Sequence, residues 1–309
     1  MPVREPRPRF HEGEREVQRR AGVERTAAKV ARYIDTTISP EHADFLSRQP
    51  FLVLAGKGAD RRTWASLLAG GSGTARAVDD RRLLLLSQPA ACDPLARVFE
   101  HRARIGLLAL ESDMRTRIRL NGVAERTGDG VVVTVEEAFR NCPKFIQRRV
   151  PDGALQPSHR GRHRSGSALE RDETRLIGEA DTFFTASSHP ERGLDASHRG
   201  GRPGFVEVPS GGTRLRFPDH SGNRMFQTLG NLAVDPSMGL LFVDWETGTT
   251  LQVSGRAHVV WDEKETQARP GAERLVDVAI ESVHRHEQAM AARWRLVDRS
   301  PLNPPLQTA

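Results

Sequence analysis

GLLALESDMRTRIRLNGVAE (residues 106–125) and GLLFVDWETGTTLQVSGRAH (239–258) decide how the chain is read. With one laid above the other, Gly106, Leu107, Leu108, Thr116, Gly122 and Ala124 coincide with Gly239, Leu240, Leu241, Thr249, Gly255 and Ala257. Most of the remaining pairs keep their apolar or polar character. Each stretch has the form of a β-hairpin, an apolar run, a polar turn and a second run. Upstream, WASLLAGGSGTARAV (64–78) lies over DASHRGGRPGFVEV (195–208) at a similar offset. A repeat of domain size indicates a duplicated domain rather than a solenoid.

Working outward, FLVLAGKGADRRTWASLLAG (51–70) predicts strand, turn, strand. DDRRLLLL (79–86) adds a buried strand, and DGVVVTVEEAF (129–139) closes the first set. Short strands separated by turn signals predict an antiparallel sheet or barrel. Ahead of them, residues 11–35 predict a helix, and Ser39-Pro40 predicts the start of another that stops before Gln49-Pro50. Residues 151–178 are polar, basic and poor in large apolar side chains. They predict a linker with a short helix over 169–177. The division is therefore a helical lead-in (1–50), a first barrel (51–150), a linker (151–178) and a second barrel with a C-terminal extension (179–309).

The 309 residues carry 46 Lys plus Arg against 40 Asp plus Glu, a formal net charge of +6. An excess this small suits a handler of phosphates or acidic metabolites as well as a nucleic-acid binder. The HRGRHR cluster (159–164) has no neighbouring aromatic residue for base stacking, so nucleic acid is not the expected partner. Two cysteines, Cys92 and Cys142, exclude a disulfide framework and a multi-cysteine metal site. No apolar run reaches the length of a membrane span, and the polar start lacks the apolar core of a secretory signal. The expectation is a cytoplasmic protein with no membrane association and no metal. His284 and His286 in SVHRHEQ read as surface histidines.

The two copies differ where folding alone requires no difference. Ser197-His198-Arg199 stands where the first copy has Ser66-Leu67-Leu68, and DHSGNRMFQTLGNLAVDP (219–236) stands where it has QPAACDPLARVFEHRA (88–103). One ligand-bearing copy and one supporting copy are expected. In SGNRMFQTLGNL (221–232) a turn leads into a helix with Arg224 in its first turn, where the dipole disfavours a cation unless an anion docks there. Strand alternation puts Asp195, Ser197 and Arg199 on one face and Ala196 and His198 on the other. Gly200-Gly201 and Pro203-Gly204 then supply a tight hairpin turn. Spacing alone leaves phosphate binding and simple helix capping both open. Standard nucleotide-loop, zinc-helix, CxxC and nucleophile-elbow motifs are absent from the sequence.

Three stretches, ADTFFTASSHPERGLDASHRGGRPGFVEV (180–208), FPDHSGNRMFQTLGNLAVDPSMGLLFVDWETGTTLQVSGRAHVVW (217–261) and FRNCPKFIQRR (139–149), resemble the pyridoxamine 5′-phosphate oxidase-like FMN-binding split-barrel proteins. The likeness is to the subgroup with two tandem barrels, some of it fused to a ferredoxin-reductase module. FHEGEREVQRRAGV (10–23) is similar to the helical lead-in of that subgroup. The resemblance implies a mainly β fold, two tandem split barrels forming an intramolecular pseudo-dimer, with FMN between them. It implies phosphate contacts from Ser197, His198 and Arg199 on the strand, from Asn223, Arg224 and Thr228 around the helix start, and a flavin contact from Gln252. The opposing wall is then Arg119, Asn121 and the loop from Asn141 to Lys144. The implied activity is a flavin-dependent oxidoreductase. The alternatives are a non-catalytic electron-relay module and a reductase using the deazaflavin F420. Expected partners are a small-molecule substrate, an electron donor such as NADH or NADPH, a second copy of the chain or a separate reductase. The Arg-Leu-His-Asp-Arg type ending of the true vitamin B6 oxidases is absent; the end here reads AARWRLVDRSPLNPP (291–305). The 309 residues contain no ferredoxin-type cysteine cluster.

Overall fold

The computed structural model describes residues 8–70, 73–153, 161–209, 211–291 and 293–305. Residues 71–72 of the first copy's glycine-rich stretch and the beginning of the HRGRHR cluster, at 159–160, lie outside the described residues.

The polar lead-in forms helices because its caps are supplied locally. In α1 (Glu12–Arg20) His11 and Glu14 make a reciprocal capping box. The helix expected through 11–35 is broken at Gly22, which takes a left-handed φ of +67° and separates α1 from α2 (Glu24–Val30). In α3 (Pro40–Ser47) the Ser39 hydroxyl accepts from His42 N at 3.2 Å and proline fills the first turn.

The chain is mainly β. Strands β1 (Phe51–Lys57), β2 (Thr63–Ala69), β3 (Ala75–Ala77), β4 (Arg82–Leu85), β5 (Ala103–Glu111), β6 (Thr116–Thr127) and β7 (Gly130–Arg140) form one antiparallel sheet in the order β2-β1-β5-β6-β7-β4-β3. After β8 (Arg148–Asp152), β9 (His163–Gly166) and α4 (Arg171–Glu179) come β10 (Thr182–His189), β11 (Gly193–Gly200), β12 (Arg214–His220), α5 (Gln227–Val234), β13 (Ser237–Val243), β14 (Thr250–Val260), α6 (Glu263–Gln267), β15 (Ala272–His286) and β16 (Arg293–Asp298). The second sheet runs β11-β10-β13-β14-β15-β12, the order of the first without a counterpart of β3, and β9 is added on β15.

Three expectations change. The stretch read as a linker contributes β9 to the second sheet, where main-chain pairing outweighs its polar composition. The boundary at 150/151 falls inside β8, which pairs with β16 near the other end of the chain. The turn after β11 does not close a hairpin. Arg202 to Phe205 form a turn with Pro203 second and Gly204 third at φ +90°, the type II signature. It leads to β12 at the far side of the sheet.

The two sheets correspond residue by residue. Ala55 faces Ala65 on β2 and Gly106 on β5, and Ala186 faces Ala196 on β11 and Gly239 on β13. Gly106 in turn pairs with Asn121 and Gly239 with Ser254, each followed by a β-bulge. The barrels meet back to back along these strands. A Cβ built on Gly106 would lie 2.8 Å from Asp195 Cα, and one on Gly239 would lie 2.7 Å from Trp64 Cα. Only glycine permits that approach. Strand β1 alternates between two buried surfaces. Leu52 and Leu54 enter the first barrel's core, while Phe51, Val53 and Ala55 join Phe184, Ala186 and Leu241 in a shared apolar layer between the barrels. That double burial explains why β1 and β5 read as unbroken apolar runs.

Helix α1 packs on α5 across another glycine pair, with a Cβ on Gly13 placed 2.2 Å from Gly230 O. Glu14 is carried into this contact, 4% exposed. Burial pushes its carboxyl up to about 8. A raised folded-state value means the neutral acid stabilises the fold below about pH 4.5 and that contribution is lost as pH climbs through 8. Glu14→Gln should therefore remove part of the pH dependence. The fall in Tm from pH 5 to 8.5 is expected to be at least ~2 °C smaller in the variant than in the parent, and an equal fall would contradict the assignment.

Candidate functional site

The cleft with the richest chemistry lies where β11, an edge strand, faces β6 and the loop after β7. Its volume is about 90 Å³, room for a few waters and on the scale of a phosphate group. Because β11 is at the sheet edge, both of its faces border the cleft. Ser197, His198 and Arg199 therefore all line it, although simple alternation separates His198 from the others.

Asn223, Arg224 and Thr228 arrive from the segment entering α5. This helix starts later than the sequence spacing suggests, at Gln227, and Arg224 precedes it rather than standing in its first turn. Arg224 and Phe226 both hold left-handed backbone (φ +65° and +63°), strained for residues with a Cβ. Phe226 is the N-cap and no side chain caps the helix. Its first N–H groups and dipole are turned to the cleft without the usual internal acceptor. The amide of Gln227, at the first helical position, is 6% exposed and neither its N nor its O has a hydrogen-bond partner.

From the first barrel come Arg119 and Asn141, both expected, and Arg117 and Phe145, which sequence reasoning missed. Asn141 Oδ1 accepts from Asn223 Nδ2 at 2.9 Å, joining the two barrels. Phe145 sits at φ +66°, and its carbonyl comes so near β11 that a Cβ on Gly200 would be 2.0 Å from it. The signal for Arg117 was its place two residues before Arg119 on one strand face.

The electrostatics are cationic. Arg119 pairs with Asp195 across the barrel interface. Arg199 Nη1 donates to Asp219 at 2.5 Å, and Arg274 donates to the other Asp219 oxygen at 2.8 Å. Burial raises the Asp219 pKa, but Arg199 and Arg274 more than offset it and hold the carboxylate below its usual range. Arg224 donates to Glu273 at 2.5 Å and to Ser221 Oγ at 3.0 Å. Arg117 has no carboxylate partner among the described residues. Its one hydrogen bond is to His198 Nδ1 at 2.7 Å, and its Nε is buried and unpaired. Burial brings Arg117 down to about 10; burial followed by Arg117 and Arg199 brings Arg119 down to about 9.

Arginine only donates, so His198 Nδ1 must accept and the imidazole proton resides on Nε2. Burial first, then Arg117 and Arg199, hold His198 well below its ordinary pKa and keep it neutral. His198 Nε2 is a buried donor with no partner.

Three expected residues fall elsewhere. Gln252 is on β14 and bonds to Ala65 O and Ser66 Oγ of the first barrel. The repeat itself contained this correction: by register Gln252 is the counterpart of Arg119, and a residue and its counterpart face opposite clefts. Asn121 is buried behind the cleft, donating to Glu137 Oε2 at 3.0 Å. Lys144 does not line it. His284 and His286 are buried, not surface, because β9 and β14 flank β15 on either side. The one cluster with metal-ligating geometry among the described residues is His11, Glu12 and His189. Its imidazole nitrogens are already engaged with Gly13 N, Asn231, Glu12, and Glu191 and Arg192 N.

None of the described helices is long and apolar enough to cross a membrane. Residues 171–297 match the family model of pyridoxamine 5′-phosphate oxidase. No curated protein matches the chain. Among solved structures, a pyridoxamine 5′-phosphate oxidase-type protein of Lactobacillus delbrueckii is similar at 15% identity and a TM-score of 0.32, covering 38% of this chain and 94% of its own. HupZ of Group A Streptococcus is similar at 12% identity and a TM-score of 0.31, covering 37% and 92%. The FAD binding protein of Mycobacterium smegmatis is similar at 15% and 0.28, covering 40% and 99%. Over residues 171–297, less than half of its length, the chain is similar to the pyridoxamine 5′-phosphate oxidase family.

Proposed function

We propose that the cleft holds the phosphate of FMN and that the protein is a flavin-dependent oxidoreductase built from a duplicated split barrel. The observation that carries this reading is the charge balance. Arg117, Arg119, Arg199, Arg224 and Arg274 line the cleft or bond to its lining, against Asp195, Asp219 and Glu273. An excess of buried and half-buried cations beside an uncapped helix start costs stability unless an anion completes it. A phosphate monoester carries the charge and the acceptor oxygens that Arg117 Nε, His198 Nε2, Arg199 Nε and the Gln227 amide lack.

In this reading Arg199 and Arg224 grip the phosphate, and their carboxylate partners Asp219 and Glu273 fix the guanidinium planes. Arg117 neutralises charge from the first barrel and sets the His198 tautomer, so that Nε2 donates. Asn141 and Asn223 tie the two walls together, and Phe145 narrows the entrance. The flavin, once bound, supplies hydride or electron transfer. The protein's part is to bind, orient and exclude water. The small-molecule substrate and an electron donor such as NADH or NADPH complete the proposal. F420 is the second reading, since its phosphate meets the same cations.

The visible spectrum of purified protein, before and after addition of FMN or F420, is the direct test; a colourless protein that takes up neither overturns the proposal. Replacing both Arg199 and Arg224 by Ala should abolish flavin retention, and unchanged flavin content would sink the phosphate assignment. Arg117→Met removes a half-buried charge that has no carboxylate partner among the described residues. It should raise the Tm of the cofactor-free chain while weakening FMN binding at least tenfold, about 1.4 kcal/mol. A variant equal to the parent in both measurements would remove Arg117 from the site.

A further inference from the structure

A pair of equivalent barrels placed back to back makes two clefts, and the second is built from counterparts of the first. By register Ser66 corresponds to Ser197, Leu67 to His198, Leu68 to Arg199, and Gln252 to Arg119. The segment after β4, residues 87–99, stands where the second barrel has the approach to α5. It buries Leu95 and Phe99 in the first core as α5 buries Leu229 and Leu232 in the second.

In this mirror cleft the donors converge on a side chain of the protein. Ser66 Oγ donates to Asp93 Oδ1 at 2.6 Å, and Leu95 N donates to the same oxygen at 2.7 Å. Gln252 Nε2 reaches Asp93 Oδ2 at 3.2 Å and Ser66 Oγ at 2.8 Å. A strand hydroxyl, a main-chain N–H from the following turn and a side chain from the opposite barrel are the three kinds of group that border the first cleft. Here the volume left is about 30 Å³, and leucines replace the imidazole and guanidinium. No cation among these counterparts offsets the carboxyl, and burial pushes it up to about 6.

We propose that Asp93 is an internal anion occupying the ligand position of the mirror cleft, so that the chain holds one flavin although its two-fold architecture provides two clefts. The stoichiometry rests on the flavin reading; the internal anion does not. The chain was then relieved of the second set of cations because the carboxylate fills the space and uses the donors that a phosphate would need.

Two measurements test this on the full chain. After saturation with FMN and gel filtration, the expected ratio is one flavin per chain in the parent and none in the Arg199→Ala, Arg224→Ala double variant. Two in the parent, or one remaining in the double variant, overturns the inference while leaving flavin binding intact. None in the parent ends the flavin reading and the stoichiometry with it. Independently of flavin, Asp93→Gly should lower Tm and added acetate should restore part of the loss, with no acetate effect on the parent or on Asp93→Asn. If the glycine variant is poorly soluble, its yield with and without acetate gives the same readout. An acetate response equal in all three proteins, or absent from the glycine variant, refutes the internal anion.

Discussion

The whole arrangement hangs on two places where one barrel's backbone touches the other's. At Gly106 against Asp195-Ala196 and at Gly239 against Trp64-Ala65, the missing Cβ lets main chain lie on main chain. Any side chain there would force the sheets apart. The closeness has chemical consequences. It brings β6 within reach of β11, so that Arg119 pairs with Asp195 and Arg117 meets His198. It also brings Gln252 to Ser66 on the other side. Both clefts are by-products of one packing solution, and neither exists in a single barrel.

The two clefts then diverge in how far they obey ordinary rules of stability. Around Asp93 the Ser66 hydroxyl, the Leu95 N–H and the Gln252 amide all find acceptors, and little space is left. Around Arg117 the chain tolerates a cation with no carboxylate partner, three left-handed non-glycine residues (Phe145, Arg224 and Phe226), an uncapped helix and an unsatisfied amide. Left-handed backbone alone costs about 1–2 kcal/mol per residue. Departures of this kind are concentrated at this cleft, and they are the observations on which the phosphate proposal stands. They occur at one cleft and not at its counterpart, which the same fold would have served equally well.

Much of the fold was legible because β-structure writes its register into the sequence. The 106–125 and 239–258 hairpins gave matching strands, and the apolar runs of β1 and β5 signalled burial on both sides. The lining of the candidate cleft was legible where chemistry and position coincide, at Ser197, Arg199, Arg224 and Asn141. Three things were not. Which cleft a strand faces depends on how two barrels dock, and nothing in the sequence around Gln252 encodes that it faces Ser66 rather than Arg199. The left-handed turns at Arg224 and Phe226 have no compositional signal, so the helix was started too early. β9 forms through main-chain pairing that a polar, glycine-containing stretch does not advertise.

Carrying both walls of a cleft on one polypeptide alters how the site responds to dilution. A cleft shared by two separate subunits is lost whenever they dissociate, and its occupancy falls with protein concentration. Here the link between the barrels fixes their local concentration whatever the amount of protein present. A scarce protein would keep its cleft intact, and each barrel is free to change without having to match a copy of itself.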